Sequence, residues 1–254
     1  MTVVARLRAA GCVFAEEEAQ LLMASATTSA QLAAMVEQRV AGLPLEHVVG
    51  WAEFCGRRVA VRPGVFVPRR RTEFLVRHAA ALSPPRPVVL DLCCGSGAVA
   101  LVLAAMLDDA EVHAADVDPT AVRCARSNLG TRGLVYEGDL YEPLPESLRS
   151  GVDVLVANVP YVPSGEVELL PAEARLHEPR VALDGGADGL DVLRRVAAGA
   201  PQWLAPGGHL LVETTEDQLP AAVEAMTRSG LIPDVARSAE LDATVVSGRS
   251  AGSR

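Results

Sequence analysis

Two kinds of hydrophobic spacing divide the chain. Over residues 3–41 apolar positions return at helical intervals: Val4, Leu7 and Ala10, then Leu32, Met35, Val36 and Val40. That spacing lines one face of a helix, and the polar stretch 25–29 predicts a break between helices. Between 43 and 67 the pattern changes. "HVVGWAEFCGRRVAVRPGVFV" mixes β-branched and aromatic residues with Gly, which predicts a short hairpin joining two parts of the molecule. After Pro68 a helix is predicted over 72–82, ended by "SPPRP" at 83–87.

From Val88 onward strand-like and helix-like segments alternate. "VVLDLC" reads as a strand and "GAVALVLAAML" as a helix. "EVHAADV" is a second strand, followed by the helix "PTAVRCARSNL", opened by Pro119. "LVYEGD" and "VDVLVAN" are the third and fourth strands. Helical "LDVLRRVAAGAPQWL" then leads through "APGG" to the strand "HLLVETT". Such alternation means an α/β fold, a mostly parallel sheet covered on both faces. Residues 163–190 form a long insertion after the fourth strand, a place where function often resides. The expected division is a helical domain over 1–45, a hairpin linker and entry helix over 46–83, and the α/β domain over 84–254.

Composition narrows the chemistry. The 254 residues are 50% apolar, enough for one large core and a small extra domain. No apolar run approaches the roughly 18 residues of a membrane span, and the start lacks the pattern of a secretory signal, so a soluble cytoplasmic protein is expected, with a monomer favoured. All 23 basic residues are Arg, which excludes a catalytic lysine. The net charge of −9 weighs against a nucleic-acid partner held by its phosphates. Cys12, Cys55, Cys93, Cys94 and Cys124 are odd in number and contain no C-x-x-C, the pattern of free thiols in a reducing compartment. The five His show no paired spacing, so no metal is expected.

In an open parallel sheet ligands bind beyond the carboxyl ends of the strands. The first strand ends in Asp91-Leu92-Cys93-Cys94-Gly95-Ser96-Gly97, where glycines allow a tight turn and a close approach to a ligand. This is not the G-x-G-x-x-G of a dinucleotide site. The second strand ends at Asp116, placed to accept bonds from both hydroxyls of a ribose, while Asp118 suits an N-cap before Pro119. At the third strand's end Asp139, with Leu140 beside it, stands within reach of an adenine ring, or is simply a solvated acid. The fourth strand ends in Asn158-Val159-Pro160-Tyr161, either an ordinary strand exit or a clamp for a planar nitrogen-bearing group. Arg69, Arg70 and Arg71 form either a solvated run or a contact for an acidic partner.

"VVLDLCCGSGAVALVLA", "VHAADVDPTAVRCARSNL" and "EGDLYEPLP" resemble successive motifs of Rossmann-like class I S-adenosylmethionine-dependent methyltransferases. "NVPY" resembles their N/D-P-P-Y motif, used on amide or exocyclic amino nitrogens. "PLEHVVGWAEFCGRRVAVRPGVFVPRRRTEFLV", "HEPRVALDGGADGLDVLRR" and "LAPGGHLLVETTEDQ" resemble the release-factor glutamine methyltransferases. The resemblance covers roughly 43–220. It implies S-adenosylmethionine as cofactor, held by Asp91, Cys93, Cys94, Gly95, Ser96, Gly97, Asp116, Asp139, Leu140 and Asn158. It implies N5-methylation of a glutamine in the Gly-Gly-Gln loop of a peptide chain release factor. Asn158 and the carbonyl after it would take the two N–H groups of the amide, with Tyr161 against its flat face. The chain departs from the family at Val159, where Pro is usual, and at Cys93, where Gly is usual. Those departures keep other readings open: a methyltransferase for a small metabolite or another protein, one for adenine in nucleic acid, or a cofactor-binding regulator without turnover.

Overall fold

The computed structural model describes residues 1–252. Four helices open the chain: α1 (Val3–Ala9), α2 (Ala15–Ser25), α3 (Ser29–Val40) and α4 (Leu45–Val49). Leu7, Leu22, Met35 and Val36 make their own small core. Of the periodic positions, Leu7, Met35 and Val36 are interior and Val4 and Leu32 pack against them, whereas Ala10 and Val40 are exposed. The break at 10–14 and the one-turn α4 were not predicted; five residues are too few to show a period. Thr2 and Thr28 cap α1 and α3 through their side chains.

The predicted hairpin is present as β1 (Trp51–Phe54) paired antiparallel with β2 (Arg57–Ala60). Asn128 fixes it to the α/β layer, accepting from the Ala60 N–H at 3.0 Å and donating to the Ala60 carbonyl at 2.9 Å. Then follow α5 (Glu73–Leu82), β3 (Val88–Leu92), α6 (Ala98–Met106), β4 (Glu111–Asp116), α7 (Pro119–Leu129), β5 (Leu134–Glu137), β6 (Val152–Ala157), α8 (Ala172–His177), α9 (Asp191–Gly199), β7 (Leu204–Thr214), α10 (Leu219–Arg228), β8 (Ile232–Ser238) and β9 (Ala243–Arg249). The helix α7 starts where Asp118 accepts from the Thr120 N–H at 2.7 Å, the N-cap role its sequence position suggested.

Seven strands form one sheet in the order β5-β4-β3-β6-β7-β9-β8. The pairs from β5 to β7 are parallel, and β9 runs antiparallel to both β7 and β8. Alternate residues face opposite sides of a strand, and the core divides accordingly. Leu90, Leu92, Leu155 and Leu210 pack under α9 and α10. Val89, Val154, Val156 and Leu211 pack under α5, α6 and α7. With both faces buried, β3 and β6 are apolar but for Asp91 and Asp153, which is why they read as nearly continuous apolar runs. The chain reverses its direction of travel across the sheet between β3 and β6, so a crevice opens beyond their carboxyl ends.

Candidate active site

That crevice is a cavity of about 870 Å³, within the range of small-molecule sites. The β3 turn forms one wall. The backbone is left-handed at Cys93, Gly95 and Gly97. Among the three only Cys93 carries a side chain, which makes it a strained position. Its half-buried side chain packs against the core cluster that includes Leu90 and Leu140, and burial together with the nearby acids pushes its pKa well up. Gly97 is the exception among the expected cofactor residues, because it does not line the cavity. A Cβ there would lie 2.8 Å from Leu129 Cδ1 and 2.9 Å from Ala125 Cβ, so this glycine exists to seat α6 against α7.

Asp91 lies beneath the turn, almost fully buried, and accepts from the Ala100 N–H at 3.1 Å. Burial, reinforced by the charge of Asp116, raises its pKa to about 8 against the pull of that N–H. Asp116 receives the Gly95 N–H on one oxygen at 2.8 Å and the Asp118 N–H on the other at 2.9 Å. Burial raises its pKa too, opposed by those backbone donors. A carboxylate has about four lone-pair sites, so acceptor capacity remains toward the cavity that Asp116 lines. Asp139 and Leu140 also line the cavity, and Asp139 pairs with Arg195 of α9 at 2.7 Å, so it is neither free nor simply solvated.

The opposite wall is the end of β6. Asn158, Val159, Pro160 and Tyr161 all line the cavity. Asn158 donates through Nδ2 to the Thr72 hydroxyl at 3.3 Å, while its Oδ1 is buried with no partner. An unpaired buried acceptor is costly, and this one belongs to a residue on the cavity wall. The Val159 carbonyl has no hydrogen-bond partner among the described residues. Tyr161 is held at three points. Its hydroxyl receives Arg71, the Arg71 guanidinium lies 5.4 Å from its ring centre, and its carbonyl receives Gln218 Nε2 at 2.8 Å.

The insertion explains itself here. Val162 and Asp184 form a parallel bridge, and the Gly185 N–H donates to the Val162 carbonyl at 2.8 Å. A Cβ at Gly185 would sit 2.6 Å from the Pro160 carbonyl, and one at Gly189 would strike the Tyr161 carbonyl. "DGGADG" is therefore a glycine surface pressed against the backbone of "NVPY". The rest of the insertion, including Leu170, Ala174 and Val181, closes the cavity on its third side. Glu178 ties it to the N-terminal side, accepting from the Val67 N–H and from Arg69 at 2.5 Å. Arg39 links Glu173 on that wall to Glu18 in α2.

The arginine run resolves into distinct parts. Arg69 is paired with Glu178, and Arg71 bonds to Glu213 of β7 at 2.9 Å. The sequence reading missed Thr72, Glu213 and Gln218. The available signal was a carboxylate inside the apolar run "HLLVETT".

Residues 57–186 match the family model of the methyltransferase small domain. The release factor glutamine methyltransferase of Geobacter sulfurreducens is 39% identical over 199 residues, covering 77% of this chain and 69% of that protein. The protein of the same name from Mycolicibacterium smegmatis is 43% identical over 205 residues, covering 79% and 72%. Among solved structures, a methyltransferase from Pyrococcus furiosus superposes with a TM-score of 0.59 at 16% identity, covering 78% of this chain and 90% of that one. A 16S rRNA methyltransferase of T. thermophilus, in complex with AdoMet and guanosine, gives 0.56 at 23% identity, covering 79% and 49%. At those identities the structural likeness is one of fold.

Proposed function

Because the chain belongs to the release factor glutamine methyltransferase family, we propose that it transfers a methyl group from S-adenosylmethionine to the side-chain nitrogen of a glutamine in the Gly-Gly-Gln loop of a peptide chain release factor. One observation carries this reading: the buried, unpaired Oδ1 of Asn158 on the cavity wall. A primary amide carries the N–H that would satisfy it, and the Val159 carbonyl offers the second acceptor.

The cavity suits the cofactor. Its size accommodates a nucleoside with an amino-acid tail, and Asp91, Asp116 and Asp139 are among the acids that line it. Asp116 has acceptor capacity for a diol, and the Gly95 turn brings backbone close without a Cβ. Bound S-adenosylmethionine supplies an electrophilic methyl on a sulfonium.

The chain's own residues supply orientation. An amide nitrogen is a weak nucleophile because its lone pair is delocalised into the carbonyl. Acceptors on both N–H groups raise its electron density. Asn158 Oδ1 and the Val159 carbonyl would fill those two places, and the Tyr161 ring, pinned by Arg71 and Gln218, would wall the flat face. Holding nucleophile and electrophile in line removes much of the entropic barrier. Val159 leaves the carbonyl of the motif in place, since any residue has one. On this reading the partner is a protein, a peptide chain release factor.

The test is a methyl-transfer assay with labelled cofactor, offering a purified release factor, RNA and small-molecule extract in parallel. Label on the release factor that disappears when the Gln of its Gly-Gly-Gln loop is replaced is the expected result. Label on RNA or a metabolite alone would overturn the glutamine assignment.

A further inference from the structure

Behind the two clamp side chains lies a set of polar contacts that the reaction itself does not account for. Glu213, near the end of β7, is almost fully buried in a strand whose neighbours are apolar. Its Oε1 receives Arg71 Nε at 2.9 Å. Arg71 passes on through Nη2 to the Tyr161 hydroxyl. The Thr72 hydroxyl is buried beside the Glu213 carboxylate without a hydrogen bond to it, and accepts Asn158 Nδ2 at 3.3 Å. Three buried side-chain atoms have no partner among the described residues, and two of them, Asn158 Oδ1 and Glu213 Oε2, belong to the residues on either side of the Thr72 hydroxyl.

We propose that Glu213 is a positioning residue, which fixes the amide of Asn158 through Thr72 and the ring of Tyr161 through Arg71. This rests on the clamp reading above and deepens it.

The argument is one of proton direction. The two ends of the Asn158 amide are opposite in kind: oxygen accepts and nitrogen donates. Only the oxygen can receive an N–H from a substrate amide, so the orientation of Asn158 decides whether the clamp exists. Thr72 has a single proton. Arg71 favours the ionised Glu213 against the burial that raises its pKa. An ionised carboxylate can only accept, so its partnerless Oε2 is the acceptor open to the Thr72 proton, which leaves the Thr72 lone pairs for Asn158 Nδ2. The oxygen then faces the cavity. A neutral amide in place of Glu213 could donate to Thr72, which could then donate to a flipped Asn158, turning the wrong end of the clamp toward the substrate. The same carboxylate neutralises Arg71 and stops it from swinging into solvent, which keeps the Tyr161 ring in place.

The experiment uses the full-length chain with a release factor as methyl acceptor. Glu213→Gln preserves shape and Thr72→Val preserves volume. Each is expected to lower kcat at least about tenfold, the lower part of the range for a lost preorganised contact, with KM for the release factor and calorimetric affinity for S-adenosylmethionine each within about twofold, a difference of under half a kcal/mol. Thr72→Ser, which keeps the hydroxyl, recovers most of the Thr72→Val loss. The double variant Glu213→Gln/Thr72→Val loses less than the product of the two single losses, because both act through Asn158 while Glu213 also acts through Arg71. If Glu213→Gln does not fold, as judged by circular dichroism, Arg71→Met at its half-exposed position carries the test for the Tyr161 branch through the same kcat-against-KM split. Multiplicative losses, a parallel fall in cofactor affinity, or no rescue by Thr72→Ser would overturn the proposal in favour of a merely structural carboxylate. Asn158→Ala separates the two levels. If it is nearly inactive while Glu213→Gln and Thr72→Val are unaffected, the positioning role fails and the clamp stands. If Asn158→Ala is fully active, the clamp itself falls.

Discussion

Asp116→Asn is the most informative single change at the cofactor side, because the structure gives this carboxylate two jobs. Its oxygens hold the Gly95 and Asp118 N–H groups at 2.8 and 2.9 Å, and its remaining lone pairs face the cavity. An alanine would remove both jobs at once and mix loop collapse with lost binding. Asparagine keeps the shape, removes the charge and turns an NH2 toward one of the two backbone donors. One hydrogen bond to a charged group is worth about 1.5–3 kcal/mol. The thermal midpoint should therefore fall from the loss of one loop bond. Separately, S-adenosylmethionine should bind about ten- to 150-fold more weakly, the same energy read as affinity. Calorimetric titration gives the second number and a melt without ligand gives the first. A lowered midpoint with unchanged affinity would refute the reasoning, leaving Asp116 as a brace for Gly95 with no part in holding the cofactor.

Cys93→Gly should leave turnover nearly intact and stability unchanged or higher by about 1 kcal/mol. The left-handed backbone at Cys93 costs a non-glycine residue about as much as glycine loses in chain entropy; a large fall in turnover would assign the thiol a role. The raised pKa of that thiol also means slow alkylation by iodoacetamide at neutral pH, and rapid labelling of this site in a mass-spectrometric footprint would contradict it. Gly97→Ala should destabilise the chain by about 2–5 kcal/mol in thermal or urea melts, combining a left-handed backbone with contacts under 3 Å to Leu129 and Ala125; a neutral effect would mean that α6 and α7 shift freely. Asp91 holds its proton more tightly folded than unfolded, so its contribution to stability is full below the ordinary carboxylate range and is lost as pH rises through about 8. Asp91→Asn should therefore gain on the wild type between pH 5 and pH 9 in melts without ligand, and parallel pH curves would count against the raised pKa.

Much of this fold was legible because burial on both faces leaves no choice of residue. β3 and β6 are nearly continuous apolar runs, and α7 is bracketed by Asp118 and Pro119 at one end and Gly130 at the other. The antiparallel pair β8 and β9 was not foreseen. β8 is an edge strand, "IPDVARS", with Pro233 and two charges; its partner β9 follows after a short turn and pairs in turn with β7, on the far side of α10, a helix pattern that says nothing of direction. The strand-end acids were singled out by position, and "NVPY" by position together with its resemblance to the family motif. The supports of the clamp were not. Arg71 and Glu213 are 142 residues apart, and no local period connects them. Nor did glycines at 185 and 189 declare their purpose, since the backbone they approach belongs to residues 160 and 161.

The central claim is that Asn158 grips the reacting amide, and turnover of Asn158→Ala on a release factor tests it most directly. With cofactor affinity measured alongside, the account predicts a fall in kcat of at least ~10²-fold, the scale of one preorganised polar contact, while S-adenosylmethionine binding changes far less. Full activity of Asn158→Ala on the release factor would contradict it, and "NVPY" would then be no more than the way β6 leaves its sheet.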